Sequence, residues 1–313
     1  MKARVFVSCG QNKDSNEPQI ADGVAKVLDE LGFDPYVAVR ERTLRGVIQN
    51  IFSRLAESEY FILIDFKREL LASSDEYRGS PFCHQELALA TYLEKRVLVF
   101  QEQGVRKFDG IIQFLQANAI TFRNRADVPL LVRTAVLEEN WNANWRDELT
   151  LSRLSDQHAD ELHPPHRPVR YWHIAVTNNN PYKTAIGCHA YLRSLVRLDP
   201  NPETISFEVV ENKWRGISFL SAIIPPAKRR EFDAFMLYSD TPGRLIGGTH
   251  TDSPKHQLVI LEPGKYLLCY SVYSETFAEA KNYFTLEFLG TSVNGVVFRE
   301  ATRDEGESMT VAS

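Results

Sequence analysis

The chain has 313 residues, 43% hydrophobic and 25% charged, and a formal net charge of −5 at pH 7. This composition excludes a disordered or fibrous protein, and the length predicts two domains. The acidic balance supplies no basic footprint, so nucleic acid is not an expected partner. No apolar run approaches the roughly 20 residues needed to cross a bilayer. Met1 to Arg4 leads straight into an apolar run instead of a signal peptide. A cytoplasmic protein without membrane contact is therefore expected.

In chain order, Ala3 to Cys9 reads as a buried strand. Glu17 to Leu31 carries Ile20, Val24, Val27, Leu28 and Leu31 at helical spacing, closed by Gly32. Pro35 to Val39 is a second strand, and Leu44 to Leu55 a second helix. Tyr60 to Asp65 (YFILID) is a third strand and Pro81 to Glu94 a third helix. Val97 to Phe100, a helix from Phe108 to Ala117, a strand from Ile120 to Phe122 and a helix from Val128 to Trp145 complete the first half. Such alternation predicts an α/β domain with a flavodoxin-like, parallel five-stranded sheet. Ligands of such sheets bind beyond the carboxyl ends of the central strands.

Residues 150–168 are polar and contain Pro164, Pro165 and Pro168, which reads as a linker between domains 1–149 and 169–300. Nearby His158, His163, His166 and His173 match no standard zinc spacing, and no metal site is expected. Strand-like runs then recur between turn signals: 171–177, 186–198, 205–210, 216–224, 232–239, 256–262, 264–274 and 281–290. They predict an all-β immunoglobulin-like sandwich. Trp214 is a candidate core residue, and Cys188 and Cys269 are placed to face each other across that core. They and Cys9 and Cys83 form no CxxC pair and read as reduced, buried thiols. The tail 301–313 reads as loose.

The helix starting at Pro81 holds a carboxylate in an unexpected position. Ser80 suits the N-cap and Pro81 the first turn. Phe82, Cys83, Leu87, Leu89, Ala90 and Leu93 fill one arc of the helical wheel, while His84 and Gln85 fall opposite. Glu86 falls within the apolar arc. A carboxylate buried there without a partner costs several kcal/mol. Either an arginine such as Arg40, Arg42 or Arg45 pairs with it, or it faces a ligand pocket; periodicity does not choose between them.

Ser80 to Leu87, S-P-F-C-H-Q-E-L, resembles the S-x-W-C-x-x-E-L signature of TIR (Toll/interleukin-1 receptor) domains, with Phe82 in the tryptophan position. Val5-Phe6-Val7-Ser8 resembles the first TIR strand, and Leu31-Gly32-Phe33 the end of its first helix. Gly46, Val47 to Leu55 and Glu57-Ser58-Glu59 resemble the approach to its third strand. The resemblance spans roughly residues 3 to 140. It implies a TIR-type fold of the prokaryotic NADase kind and makes Glu86 the catalytic residue, facing the nicotinamide ribose of NAD⁺. Nicotinamide departs neutral from a cationic pyridinium, so no strong general acid is needed. A carboxylate stabilises the oxocarbenium-like transition state. Attack by water gives ADP-ribose, and attack by another atom of the nucleotide gives a cyclic isomer. NAD⁺ is then the substrate, and no separate cofactor is implied.

Further substrate-binding candidates are Ser8, Cys9, Gly10 and Gln11 after the first strand, Arg40 and Arg42 in the loop before Gly46, Asp65, Phe82 and Cys83. Asp65 replaces a residue more often serine in this family, and Phe66 to Gly79 is longer and more charged than usual. Partners implied by the resemblance are other copies through the TIR domain, an infection-derived protein trigger at the β-sandwich, and a downstream effector responding to a nucleotide signal. The role implied is antiphage immune signalling. The rivals are a nucleoside deoxyribosyltransferase-like enzyme, which also directs a glutamate at an anomeric carbon, and a non-catalytic TIR scaffold. No Ser-His-Asp set is discernible in the second half.

Overall fold

The computed structural model describes residues 2–10, 15–38, 51–72, 75–107, 118–154, 167–199, 201–209, 211–216, 221–248 and 258–302, and the backbone of 157–160. The chain divides into two compact units, Met1–Asp147 and Glu148–Ser313.

The first unit contains strands β1 (Arg4–Cys9), β2 (Asp34–Val37), β3 (Tyr60–Asp65), β4 (Arg96–Glu102) and β5 (Ile120–Phe122). Its helices include α1 (Glu17–Glu30), α2 (Pro81–Tyr92) and α3 (Val128–Glu138). All pairings are parallel, in the order β2-β1-β3-β4-β5. Strand alternation sorts the two faces. Val5, Val7, Tyr60, Ile62 and Ile64 pack with Ile20, Val24 and Leu28 of α1 and with Val128 and Val132 of α3. Phe6, Phe61 and Leu63 pack on the other face with Cys83, Leu87 and Ala90 of α2. The same alternation turns Ser8 toward α2, where it is a wholly buried polar residue in register with Leu63.

The helix ends follow local chemistry. Gly32, at φ 90°, takes the left-handed conformation that closes α1. Ser80 caps α2 by accepting from the Cys83 amide at 3.5 Å, and Pro81 occupies the first turn. The last helix ends at Glu138, short of the expected Trp145, because Asn140 turns left-handed at φ 50°. The freed segment anchors to the base of β3. The Tyr60 hydroxyl accepts from Trp145 Nε1 and the Asn142 amide, each at 2.9 Å. Glu59 beside it accepts from the amides of Arg4 at 2.6 Å and Asp147 at 3.1 Å.

Among the described residues of the second unit there are twelve strands: β6 (Leu149–Arg153), β7 (Gln157–Asp160), β8 (Pro168–Asn178), β9 (Ala185–Arg197), β10 (Glu203–Thr204), β11 (Ala222–Ile224), β12 (Arg229–Tyr238), β13 (Leu245–Gly247), β14 (Val259–Ile260), β15 (Gly264–Tyr273), β16 (Ala280–Phe288) and β17 (Val296–Glu300). They form two six-stranded antiparallel sheets. One runs β10-β9-β15-β16-β17 with β11 also on β9; the other runs β14-β13-β12-β8-β6 with β7 also on β8. Trp172, Ile174 and Val176 of β8, Phe232 and Leu237 of β12, Leu268 and Tyr270 of β15, and Phe284 of β16 share one core with Trp214.

These sheets correct the expected fold class. The parallel five-stranded sheet is present, but a TIR domain followed by an immunoglobulin-like sandwich does not describe the chain. Twelve strands in two six-stranded sheets exceed the seven or nine of an immunoglobulin fold, and the class is mixed. The supposed linker is also corrected. Leu149 and Leu151 alternate inward and pair β6 with β8, and β7 pairs with β8 as well. Of the expected strand over 205–210, the described residues 205–209 form no strand, and the short β10 lies just before them. Cys188 joins the core, whereas Cys269, between inward-facing Leu268 and Tyr270, points to the opposite face of its sheet. The two thiols therefore do not meet across the core, and all four cysteines are free. The tail beyond Thr302 lies outside the described residues, and no described helix is long and apolar enough to cross a membrane.

Candidate functional site

The strand order reverses direction between β1 and β3, and such a switch point opens a crevice at the carboxyl ends of the strands. A cleft of about 570 Å³ lies there. Cys9 and Gly10 at the end of β1 line it, with Ser80, Pro81, Phe82, Cys83 and Glu86 from the start of α2. Ala38, Ile51, Arg68, Glu69, Arg78 and Gly79 complete the described lining.

Glu86 lies in the second turn of α2, where the helix passes over Ser8. The Ser8 hydroxyl donates to Glu86 Oε2 at 2.5 Å. Burial pushes the Glu86 carboxyl above its ordinary value, and the Ser8 hydrogen bond opposes that shift with a smaller effect. Among the described residues no cation pairs with Glu86; Arg40, Arg42 and Arg45, the expected alternatives, lie outside them, as does Gln11. A desolvated carboxylate at a cleft, held by a neutral donor, can stabilise a developing positive charge or accept a proton.

The cysteines beside Glu86 are poor nucleophiles. Burial raises the Cys83 thiol to about 12 and raises Cys9 as well, and the Glu86 carboxylate adds to both. A thiol so protonated at neutral pH packs the cleft floor instead of attacking a substrate.

Two sequence expectations change here. Phe82, expected on the apolar arc, is 76% exposed at the cleft mouth. His84, expected on the polar side, is buried. The reason is Asp65, which is wholly buried beneath α2 and outside the cleft lining. Its Oδ1 accepts from the Ser80 amide at 3.1 Å, and its Oδ2 lies 2.9 Å from His84 Nε2 and 3.4 Å from Gln101 Nε2. Asp65 thus fixes the first turn of α2. Sequence reasoning missed Arg68 and Arg78. Its only signal for them was the excess charge between Phe66 and Gly79.

No family model and no curated protein matches the chain. Solved structures that overlap it include the Clostridium botulinum CMP N-glycosidase BcmB, 14% identical over 41% of this chain and 97% of that one, with a TM-score of 0.29. A β-glucosidase from Listeria innocua is 12% identical over 93% of this chain, with a TM-score of 0.27, and EmGH1 from Erythrobacter marinus is 9% identical over 91%, with a TM-score of 0.28. The chain spans 46% of the length of each of these two β-glucosidases. Overlaps this small define neither the fold nor the chemistry of the chain, and the site rests on its own geometry.

Proposed function

We propose that the first unit cleaves the nicotinamide–ribose bond of NAD⁺, with Glu86 as the catalytic residue. The observation that carries this reading is the Glu86 carboxylate itself, largely desolvated at the cleft and held by the Ser8 hydroxyl. The resemblance of Ser80 to Leu87 to the TIR signature supplies the choice of NAD⁺. The carboxylate meets the anomeric carbon as positive charge moves from the pyridinium ring onto the sugar, and nicotinamide leaves neutral. Water then gives ADP-ribose and a proton; capture by a second atom of the same nucleotide gives a cyclic isomer. Antiphage immune signalling is the setting proposed, through NAD⁺ loss or a nucleotide signal to a downstream effector. Self-association and a protein trigger at the β unit belong to the same proposal.

Incubation of the full chain with NAD⁺, and separately with deoxynucleosides, followed by mass spectrometry of the products, tests this reading. Nicotinamide with ADP-ribose or its isomer supports it. Base release from deoxynucleosides alone transfers the site to the deoxyribosyltransferase reading. Absence of turnover under conditions that permit assembly rejects catalysis in favour of a scaffold.

A further inference from the structure

The connection from β3 to α2 doubles back on itself. Leu70 and Tyr77 form an antiparallel bridge. The Arg78 amide donates to the Glu69 carbonyl at 2.7 Å, and the Arg68 amide to the Arg78 carbonyl at 2.9 Å. These bonds align Arg68 with Arg78, and both residues line the cleft that holds Glu86.

Arg68 is anchored at considerable cost. Its Nη2 donates to Glu17 Oε2 at 2.7 Å, with the Arg68 side chain 24% exposed and Glu17 only 1%. Removing both charges from water is a poor way to gain stability compared with an apolar pair. The guanidinium also crosses the end of β1 at close range. A Cβ on Gly10 would lie 2.0 Å from Arg68 Nη2 and 2.4 Å from Glu17 Oε2. Glycine at the strand end leaves the space that this arrangement occupies. Glu17 engages one nitrogen of a fork that carries five donors. Arg78 is more exposed, with Glu69 at 3.8 Å, a distance at which an exposed pair is weak. Neither arginine is the counter-ion of Glu86, whose upward shift comes from burial and is opposed by Ser8.

We propose that Arg68 and Arg78 form a phosphate subsite, which selects substrates carrying a phosphate or diphosphate on the ribose whose anomeric bond meets Glu86. The cleft then matches a ligand with a cationic base at one end and anionic phosphate at the other. Planar guanidiniums suit phosphate oxygens, which they can bind in bidentate fashion. This subsite rests on the cleavage reading for its role, but its binding can be measured separately.

Three substrates share the scissile bond and differ in phosphate: NAD⁺, nicotinamide mononucleotide and nicotinamide riboside. For the full chain, kcat/KM is expected to be highest with the first two. Arg78→Gln, at an exposed site, and Arg68→Gln paired with Glu17→Gln are each expected to lower kcat/KM on the phosphorylated substrates by about ten- to a hundredfold. Hydrolysis of the riboside should change little, so discrimination collapses. Equal losses on all three substrates, or none, overturn the proposal. Calorimetric titration of ADP-ribose into the Glu86→Gln full chain reads the subsite without turnover. Binding weakened about tenfold or more by Arg78→Gln supports it; binding indifferent to both arginines overturns it. Absence of turnover together with arginine-dependent ADP-ribose binding rejects the cleavage reading and leaves the subsite standing. Turnover with arginine-independent binding does the reverse.

Discussion

Replacing Ser8 with alanine tests how the fold tunes Glu86. Ser8 is wholly buried, and its hydroxyl donates to Glu86 Oε2 at 2.5 Å. A hydrogen bond to a charged group contributes about 1.5–3 kcal/mol, and one unit of pKa corresponds to about 1.4 kcal/mol. The carboxylate borders an open cleft, so water can replace part of the lost bond, and the lower end of that range applies. Ser8 favours the ionised form, so its loss raises the Glu86 pKa further, in proportion to that free energy. If the ionised carboxylate is the active form, the acid limb of the kcat/KM profile for nicotinamide release moves up by the same amount. Below that limb the variant is about tenfold slower, while on the alkaline plateau it approaches the parent. An unmoved limb, or a loss of rate equal at every pH, refutes the reasoning.

Glu86→Gln should abolish nicotinamide release, by about a thousandfold or more. It should also change stability with a definite sign. A carboxyl whose folded pKa is raised above its ordinary 4.5 stabilises the fold fully below that value, and this stability is lost as pH rises through the folded pKa. The glutamine variant should therefore melt higher than the parent at pH 7 and lose that advantage near pH 4, as read by thermal unfolding. Asp65→Ala removes the carboxylate that accepts from the Ser80 amide and bonds His84, and should cost about 1–3 kcal/mol by denaturant titration. A cost below about 1 kcal/mol would show that the network is not structural. Gly10→Ala drives a methyl group into the Arg68–Glu17 pair and should cost about 1–3 kcal/mol. A neutral result would mean that the guanidinium moves aside freely.

The sequence made some of these features legible and concealed others. YFILID reads as a buried strand because both faces of β3 are covered, and an unbroken apolar run is the signature of that burial. Ser80-Pro81 marks the start of α2 by capping chemistry alone. Glu86 stands out because it interrupts an apolar arc. Phe82 was not legible, since a helical wheel assumes that neighbours cover every turn, and the first turn of α2 overhangs the open cleft. His84 looks like a surface residue until Asp65, nineteen positions earlier, is brought beneath it by the fold. Arg68 and Arg78 were visible only as surplus charge, because the bridge between Leu70 and Tyr77 has no short-range signal. At β6 the alternation of Leu149 and Leu151 was present but was overshadowed by the prolines that follow. Phe82, Arg68 and Arg78 line the cleft, where local rules give way to the shape of an open surface.

The hydroxyl of Tyr60 has a practical consequence for dissecting the molecule. It gathers Asn142 and Trp145 at the foot of β3, and Glu59 beside it takes the amide of Asp147. The cleft lies at the other end of that strand, some 20 Å away for six residues of extended chain. A stop codon placed directly after Asp147 keeps every one of these fastenings, whereas one placed before Asn142 removes them all. The natural place to cut is therefore set by a phenol and a carboxylate at the foot of the sheet.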